Sequence, residues 1–188
     1  MRTNLLKSTR CYLCGPMEMA ADSGINWRRM ITSILKPLGI IWLDPTNKPI
    51  NKCKEDPDFI ARLRQMRLAG QYQEVADIVR EIRCCDLRMV DISDFLIVHI
   101  DTNIHSAGTW EEITTANRQK KPIIVHCEQG KAQAPGWLFG MIPHEHIFGN
   151  WNGLVSYLIR INTTEETDTT GRWLFFDWTG EDNEQTTV

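Results

Sequence analysis

The chain has 188 residues, room for one domain with a substantial core, and its 42% hydrophobic and 24% charged residues are typical of a globular protein. A formal net charge of −3 argues against binding a nucleic-acid polymer, which needs a basic surface. No apolar run approaches the roughly 18 residues that would cross a bilayer, and the basic start MRTNLLKSTR lacks the apolar stretch of a secretory signal. A cytoplasmic protein with no membrane contact is expected.

Arg10-Cys11-Tyr12-Leu13-Cys14 reads as a short strand ended by Gly15-Pro16. Gly-Pro makes a sharp turn there, and it also leaves room for a ligand to approach the main chain. Cys11 and Cys14 form a C-x-x-C whose alternation inside the strand is expected to put both thiols on one face. A zinc ribbon needs a second such pair, which the other cysteines (Cys53, Cys84, Cys85 and Cys127) do not supply. The cysteines therefore read as small hydrophobes. Ile25, Trp27, Met30, Ile31, Ile34, Leu35 and Leu38 recur at helical spacing until Gly39, with Arg28 and Arg29 read as solvated. Gly39 to Pro45 reads as a second strand, which closes a right-handed βαβ unit.

Thr46 to Asp58 is a polar loop long enough to serve as a flap over a site. A charged helical stretch runs from Pro57 to about Arg80, divided near Gly70. The apolar run Phe95-Leu96-Ile97-Val98 reads as a strand buried on both faces, the centre of a parallel sheet. A polar loop, Thr102 to Ala107, leads to a helix from Gly108 to about Lys120. Lys121 to Cys127 reads as a further strand, Gln129 to Pro143 as a loop, and Asn152 to Ile161 as an amphipathic helix. His144 and His146 read as surface or hydrogen-bonded histidines. Arg172 to Trp178 reads as a dense aromatic strand that must be covered by its own sheet or by a partner subunit. The final ten residues read as disordered. The expected architecture is α/β: an open, mostly parallel sheet with helices on both faces, plus the C-terminal aromatic strand. A main domain spans 1–162, and a linker, the aromatic strand and the tail span 163–188. Neither G-x-G-x-x-G nor a Walker loop is present.

The chemistry concentrates where the central strand feeds its helix, the usual ligand position in an open α/β sheet. Two carboxylates, Glu111 and Glu112, are expected in the first helical turn. At about 100° per residue, Thr109, Glu112, Ile113 and Ala116 share a face. Glu112 therefore points into the crevice, and Glu111 turns to solvent. The helix N-terminus is expected to keep the Glu112 carboxylate ionised, as a nucleophile requires. Ser106, Gly108 and Thr109 bring hydroxyls and amide groups suited to an anion such as a phosphate.

Tyr12-Leu13-Cys14-Gly15-Pro16, Asp86-Leu87-Arg88 with Asp94 eight residues on, and Ser106-Ala107-Gly108-Thr109 with Glu112 and Ala116 resemble the nucleoside 2-deoxyribosyltransferase family. That family's pattern is a Y-L-A-G-P first strand, a D-L before the central strand and a G-x-x-x-E at the helix that follows. The resemblance spans roughly residues 10 to 128. It implies a flavodoxin-like fold, a homo-oligomer, and attack by Glu112 on the anomeric carbon of a 2-deoxyribosyl group. A covalent glycosyl-enzyme intermediate then passes the sugar to water or a second base. Asp86 would hold and protonate the departing base, and Tyr12 would hold Glu112 or the sugar. Gly15, Pro16, Ser106, Gly108 and Thr109 would line the substrate.

Two positions depart from the family pattern. Cys14 replaces an alanine, a change expected to be harmless. Ser106 stands where the transferases carry an aspartate, as it does in the related 5′-monophosphate N-glycosidases. Serine there accepts a phosphate that a carboxylate would repel, so the expected ligand is a small nucleoside or, preferentially, a nucleoside 5′-monophosphate. No cofactor and no metal are expected. Other roles stay open: a helix cap or an ion pair with Arg83 or Arg88 for Asp86, core packing for Tyr12, structural work for Asp91 and Asp94. The alternatives for the whole chain are a non-catalytic nucleotide-binding or sensing domain and a receiver-like or redox flavodoxin-type domain. A receiver would need paired acids where Cys14-Gly15-Pro16 stands.

Overall fold

A computed structural model of the chain describes residues 4–48, 55 and 57–178. The expected flap therefore falls largely outside the described residues, as does the expected disordered tail, 179–188. Five parallel strands form one sheet in the order β2-β1-β3-β4-β5. They are β1 (Arg10–Cys14), β2 (Ile41–Leu43), β3 (Phe95–Ile100), β4 (Ile123–Cys127) and β5 (Ile147–Phe148). This is the flavodoxin-like order, with a topological switch point between β1 and β3. Cys11 to Cys14 pair in register with Phe95 to Val98, so Tyr12 lies beside Leu96. β1, β3 and β4 are almost wholly buried, which explains their continuous apolar runs.

Helices cover both faces. Tyr12, Cys14, Leu96, Val98 and Val125 face a core shared with α3 (Tyr72–Ile92) and α4 (Ala107–Arg118). Cys11, Leu13, Phe95, Ile97 and Ile124 face the opposite core, shared with α1 (Ile25–Ile34) and α6 (Trp151–Thr163). The two thiols of the C-x-x-C thus lie on opposite faces, contrary to expectation. Side chains alternate with a period of two, and positions three apart cannot share a face. Ile113 and Ala116 of α4 are fully buried against the sheet. Truncating Ile113 to alanine would cost about 2–5 kcal/mol.

Several boundaries differ from the sequence expectation. The first helix ends at Ile34, and a 3-10 turn, Lys36–Leu38, carries the chain to Gly39 at φ +66°. A left-handed residue there stops the helix, and glycine adopts it without strain. The charged stretch divides into α2 (Pro57–Leu68) and α3 around Gly70, but α3 continues to Ile92. Ile82, Asp86, Met89 and Val90 then form its buried stripe at helical spacing. A short α5 (Gly136–Met141) replaces part of the expected loop, and the two-residue β5 follows His146, where the sequence reads as a loop-to-strand entry.

The C-terminal aromatic segment is not a strand. Residues 172–178 make a turn over the α6 side of the sheet, anchored where Trp173 N donates to Asp168 Oδ2 at 2.8 Å. Trp173 is fully buried, lies 5.3 Å from the Phe95 ring and donates Nε1–H to Tyr157 Oη at 2.8 Å. Burial of one indole with its N–H satisfied covers Trp173 without sheet pairing, while Leu174 and Phe175 remain exposed. Asp94 accepts from Arg10 N at 2.7 Å and Asp91 from Gln119 Nε2 at 2.7 Å, both structural contacts as expected. His144 is exposed, and His146 is buried and bonded to Tyr157 Oη at 2.8 Å. Among the described residues, no helix is long and apolar enough to cross a membrane.

Candidate active site

Glu112 projects from α4 into a cavity of about 660 Å³ at the switch point, together with Gly15, Asp86, Ser106, Gly108 and Thr109. Tyr12 Oη donates to Glu112 Oε1 at 2.8 Å, so the strand's buried tyrosine holds the helix's carboxylate. Glu111 turns outward, as helix phase predicts, and forms a forked pair with Arg83. Burial works against the expected ionisation of Glu112. Burial raises its pKa to about 7, opposed by a hydrogen bond from the Cys14 thiol, reinforced by the nearby Asp86 charge and opposed again by Tyr12. The helix begins at Ala107, which puts Glu112 beyond its first turn and away from the strongest dipole field. Desolvation wins at that distance. Some surface of Glu112 remains accessible, but it opens into the cavity.

Asp86 faces Glu112 from α3. Neither Arg83 nor Arg88 is its ion-pair partner; Lys48, just after the second strand, brings its fully buried Nζ to 2.8 Å from Asp86 Oδ1 and 2.5 Å from Glu55 Oε1. Burial raises the Asp86 pKa to about 6, and Lys48 limits the rise. For Lys48 itself burial lowers the pKa, but Asp86 and Glu55 together outweigh it and the net shift is upward. Asp86 Oδ1 is thus buried against the Lys48 ammonium, at the edge of the cavity.

The first loop is built for tight packing. A Cβ on Gly15 would sit 3.0 Å from Trp27 Cζ2 and 3.1 Å from the His99 carbonyl oxygen, so a side chain there would need its neighbours to give way by a few tenths of an ångström. Arg28, expected to be solvated, is 1% exposed, with Nε on Leu13 O at 3.2 Å, Nη2 on Gly15 O at 3.0 Å and Nη1 on Gly24 O at 2.9 Å. It fixes the end of the first strand by satisfying three carbonyls at once. Pro16 lines an adjoining cavity of about 330 Å³ with His99, Asp101, Ser106 and Thr109. The Ser106 and Thr109 hydroxyls lie 2.6 Å apart, and Ser106 makes no side-chain cap on α4. A Cβ on Gly108 would meet open space, so that position faces the cavity rather than packing.

Of the eight residues singled out from sequence, Gly15, Asp86, Ser106, Gly108, Thr109 and Glu112 line one cavity, Tyr12 reaches it through Glu112, and Pro16 lines the adjoining one. Four were missed. Cys14 is buried beside the site with its thiol donating to Thr109 O at 3.7 Å, and Lys48, Glu55 and Arg28 supply charges around the cavity. The loop holding Lys48 was recognised as a candidate flap, but nothing local in it marks one lysine as buried.

No protein-family profile matches the chain, and no curated protein does. Among solved structures, a 2-deoxyribosyltransferase from Bacillus psychrosaccharolyticus superposes with a TM-score of 0.53 and 17% identity, covering 79% of this chain and 92% of that one. The chain has the 2-deoxyribosyltransferase fold. A 2-deoxyribosyltransferase from Leishmania mexicana aligns at a TM-score of 0.48 and 12% identity over 81% of this chain and 97% of that one. A conserved protein from Enterococcus faecalis V583 aligns at 0.41 and 20% identity over 83% and 89%. The fold assignment rests on the first of these together with the strand order.

Proposed function

We propose that the chain cleaves the N-glycosidic bond of a nucleoside or 2-deoxynucleoside 5′-monophosphate, or of the free nucleoside, through a covalent glycosyl-Glu112 intermediate. The observation that carries this reading is the Tyr12–Glu112 hydrogen bond at 2.8 Å, set in the same cavity as Asp86. Once ionised, Glu112 attacks C1′ as the C1′–N bond breaks, and the bonding electron pair leaves with the base. Asp86, with its pKa raised to about 6, delivers its proton to the base nitrogen. Water or a second base then attacks C1′ and breaks the acyl-glycosyl bond. Glu112 is released as a carboxylate, and the attacking group gives its proton to Asp86. Tyr12 donates to Glu112 throughout, steadying it as an anion before attack and as a leaving group afterwards.

Ser106, Thr109 and the first amides of α4 would receive the 5′-phosphate. The absence of a side-chain cap on that helix and the open space at Gly108 support this placement. The reading extends to a homo-oligomer in the cytoplasm; Leu174 at 70% exposure and Phe175 at 44% offer an apolar contact.

The deciding experiment incubates the chain with paired deoxynucleosides and deoxynucleoside 5′-monophosphates, with and without free base, and separates products by chromatography. Base release is expected, faster from the monophosphates, and abolished in Glu112→Gln. Equal turnover of nucleosides and monophosphates would remove the phosphate assignment. Binding without any base release would favour a nucleotide-sensing domain instead.

A further inference from the structure

His99 and His126 lie side by side in the parallel register of β3 and β4. By strand alternation they share the face of Ile97 and Ile124, opposite the face that presents Tyr12 and Cys14 to Glu112. Their Nδ1 atoms are 3.0 Å apart, and their rings are held nearly parallel, 14° between planes. Trp151 stacks on His126 with centroids 4.0 Å apart and on His99 at 5.6 Å, while Trp27 lies 5.3 Å from His99. Just beyond β4, Glu128 brings Oε2 to 3.9 Å from His126 Nδ1, and the three ligand atoms fall within 4.8 Å of one another.

We propose that His99, His126 and Glu128 form a binding site for a divalent transition-metal ion of the zinc class. Two nitrogens each about 2.0–2.1 Å from one ion at tetrahedral angles lie about 3.3 Å apart. The paired strands and stacked indoles already hold the two imidazoles within a few tenths of an ångström of that separation. The Glu128 side chain is 53% exposed and has the freedom to close the remaining distance. Three protein ligands and one open position describe a reactive or exchangeable site rather than a closed structural one. Imidazole ligands select zinc, copper, nickel or cobalt over magnesium and calcium. In the metal-free chain one ring keeps its proton on Nδ1 and donates it to the other. On metal binding that proton moves to Nε2, leaving both Nδ1 lone pairs for the ion.

The test uses the full chain stripped with a chelator, titrated with Zn2+ by calorimetry and with Co2+ followed by its visible absorption. One equivalent is expected, with quenching of tryptophan emission by Co2+ and no comparable uptake of Mg2+. Glu128→Gln, a surface change that leaves the core intact, is expected to weaken Zn2+ binding by at least about tenfold, and His99→Gln by more, since even the loss of an outer-shell partner costs about 10–100-fold. His144→Gln, at an exposed histidine, leaves it unchanged. Absence of Zn2+ uptake would overturn the proposal. So would affinity unaltered by Glu128→Gln, or uptake abolished by replacing Cys84 and Cys85 with serine.

Discussion

Glu112→Gln is expected to make the protein more stable while removing its turnover. The carboxyl's ordinary value near 4.5 is raised to about 7 in the fold, chiefly because burial penalises the charged form. Stability from a group raised in this way is fully present below its unfolded value and is lost as pH rises through its folded one. Between those limits the displacement corresponds to about 3 kcal/mol, most of it lost by pH 8 and about 1 kcal/mol by pH 5. Glutamine carries no charge at either pH, and its oxygen can still accept from Tyr12. Asp86 is present in both proteins, so its own titration largely cancels in the comparison. Urea unfolding of both chains at pH 5 and pH 8 measures the difference directly. The variant should exceed the wild type by about 3 kcal/mol at pH 8 and by about 1 kcal/mol at pH 5. Equal stability at pH 8, or a difference independent of pH, would show that the carboxylate is solvated and the burial argument wrong.

If Glu112 must be ionised and Asp86 protonated, kcat/KM should follow a bell centred between their values of about 7 and about 6, with a maximum near pH 6.5. A flat profile from pH 5 to 8 would break the role assignment. Lys48→Met removes the cation that holds down the Asp86 pKa, so the alkaline limb of that profile should move upward. The same change should destabilise the fold by up to about 3–5 kcal/mol where Asp86 stays charged, and by less at pH 5; thermal melts at the two pH values check this. Gly108→Ala meets open space and should leave the melting temperature within a few degrees of wild type. If phosphate approaches that amide, the variant raises KM for monophosphates more than for nucleosides, and steady-state kinetics with the paired substrates decides.

The legible part of this site was local. Helix phase alone separated Glu112 from Glu111, because i, i+3 and i+4 neighbours are fixed by backbone geometry whatever surrounds them. The buried runs of β1, β3 and β4 were equally plain, since a strand covered on both faces is apolar at every position. What escaped required contacts between distant residues. Lys48 meets Asp86 across 38 positions of sequence, and the charged stretch after Gly70 gave no sign that α3 runs on to Ile92 and buries Asp86. Arg28 looked like any helical arginine until its fork met the carbonyls of Leu13, Gly15 and Gly24. The aromatic segment was correctly read as needing cover, but the form of that cover depends on Asp168 and Tyr157, which no local pattern links to Trp173.

Burial and the helix dipole pull the Glu112 carboxyl in opposite directions, and this bears on the reaction. A dipole argument treats the helix in isolation and favours the anion, whereas the packed fold surrounds the same carboxyl with Tyr12, Cys14 and Asp86. Two acids with pKa values displaced to about 7 and about 6 resist being charged together in one cavity. The proposed glycosyl transfer needs Glu112 as the carboxylate and Asp86 as the acid, whereas values of about 7 and about 6 leave the shared proton mainly on Glu112, so the reactive form is the minor one. Lys48 and Glu55 set the balance between them: the lysine keeps Asp86 from rising further, and Glu55 partly offsets the lysine. The charge state of the pair is thus decided by residues that touch neither the sugar nor the scissile bond in the proposed reaction. Substitutions at Lys48 or Glu55 should shift the pH dependence of the reaction more than its substrate preference.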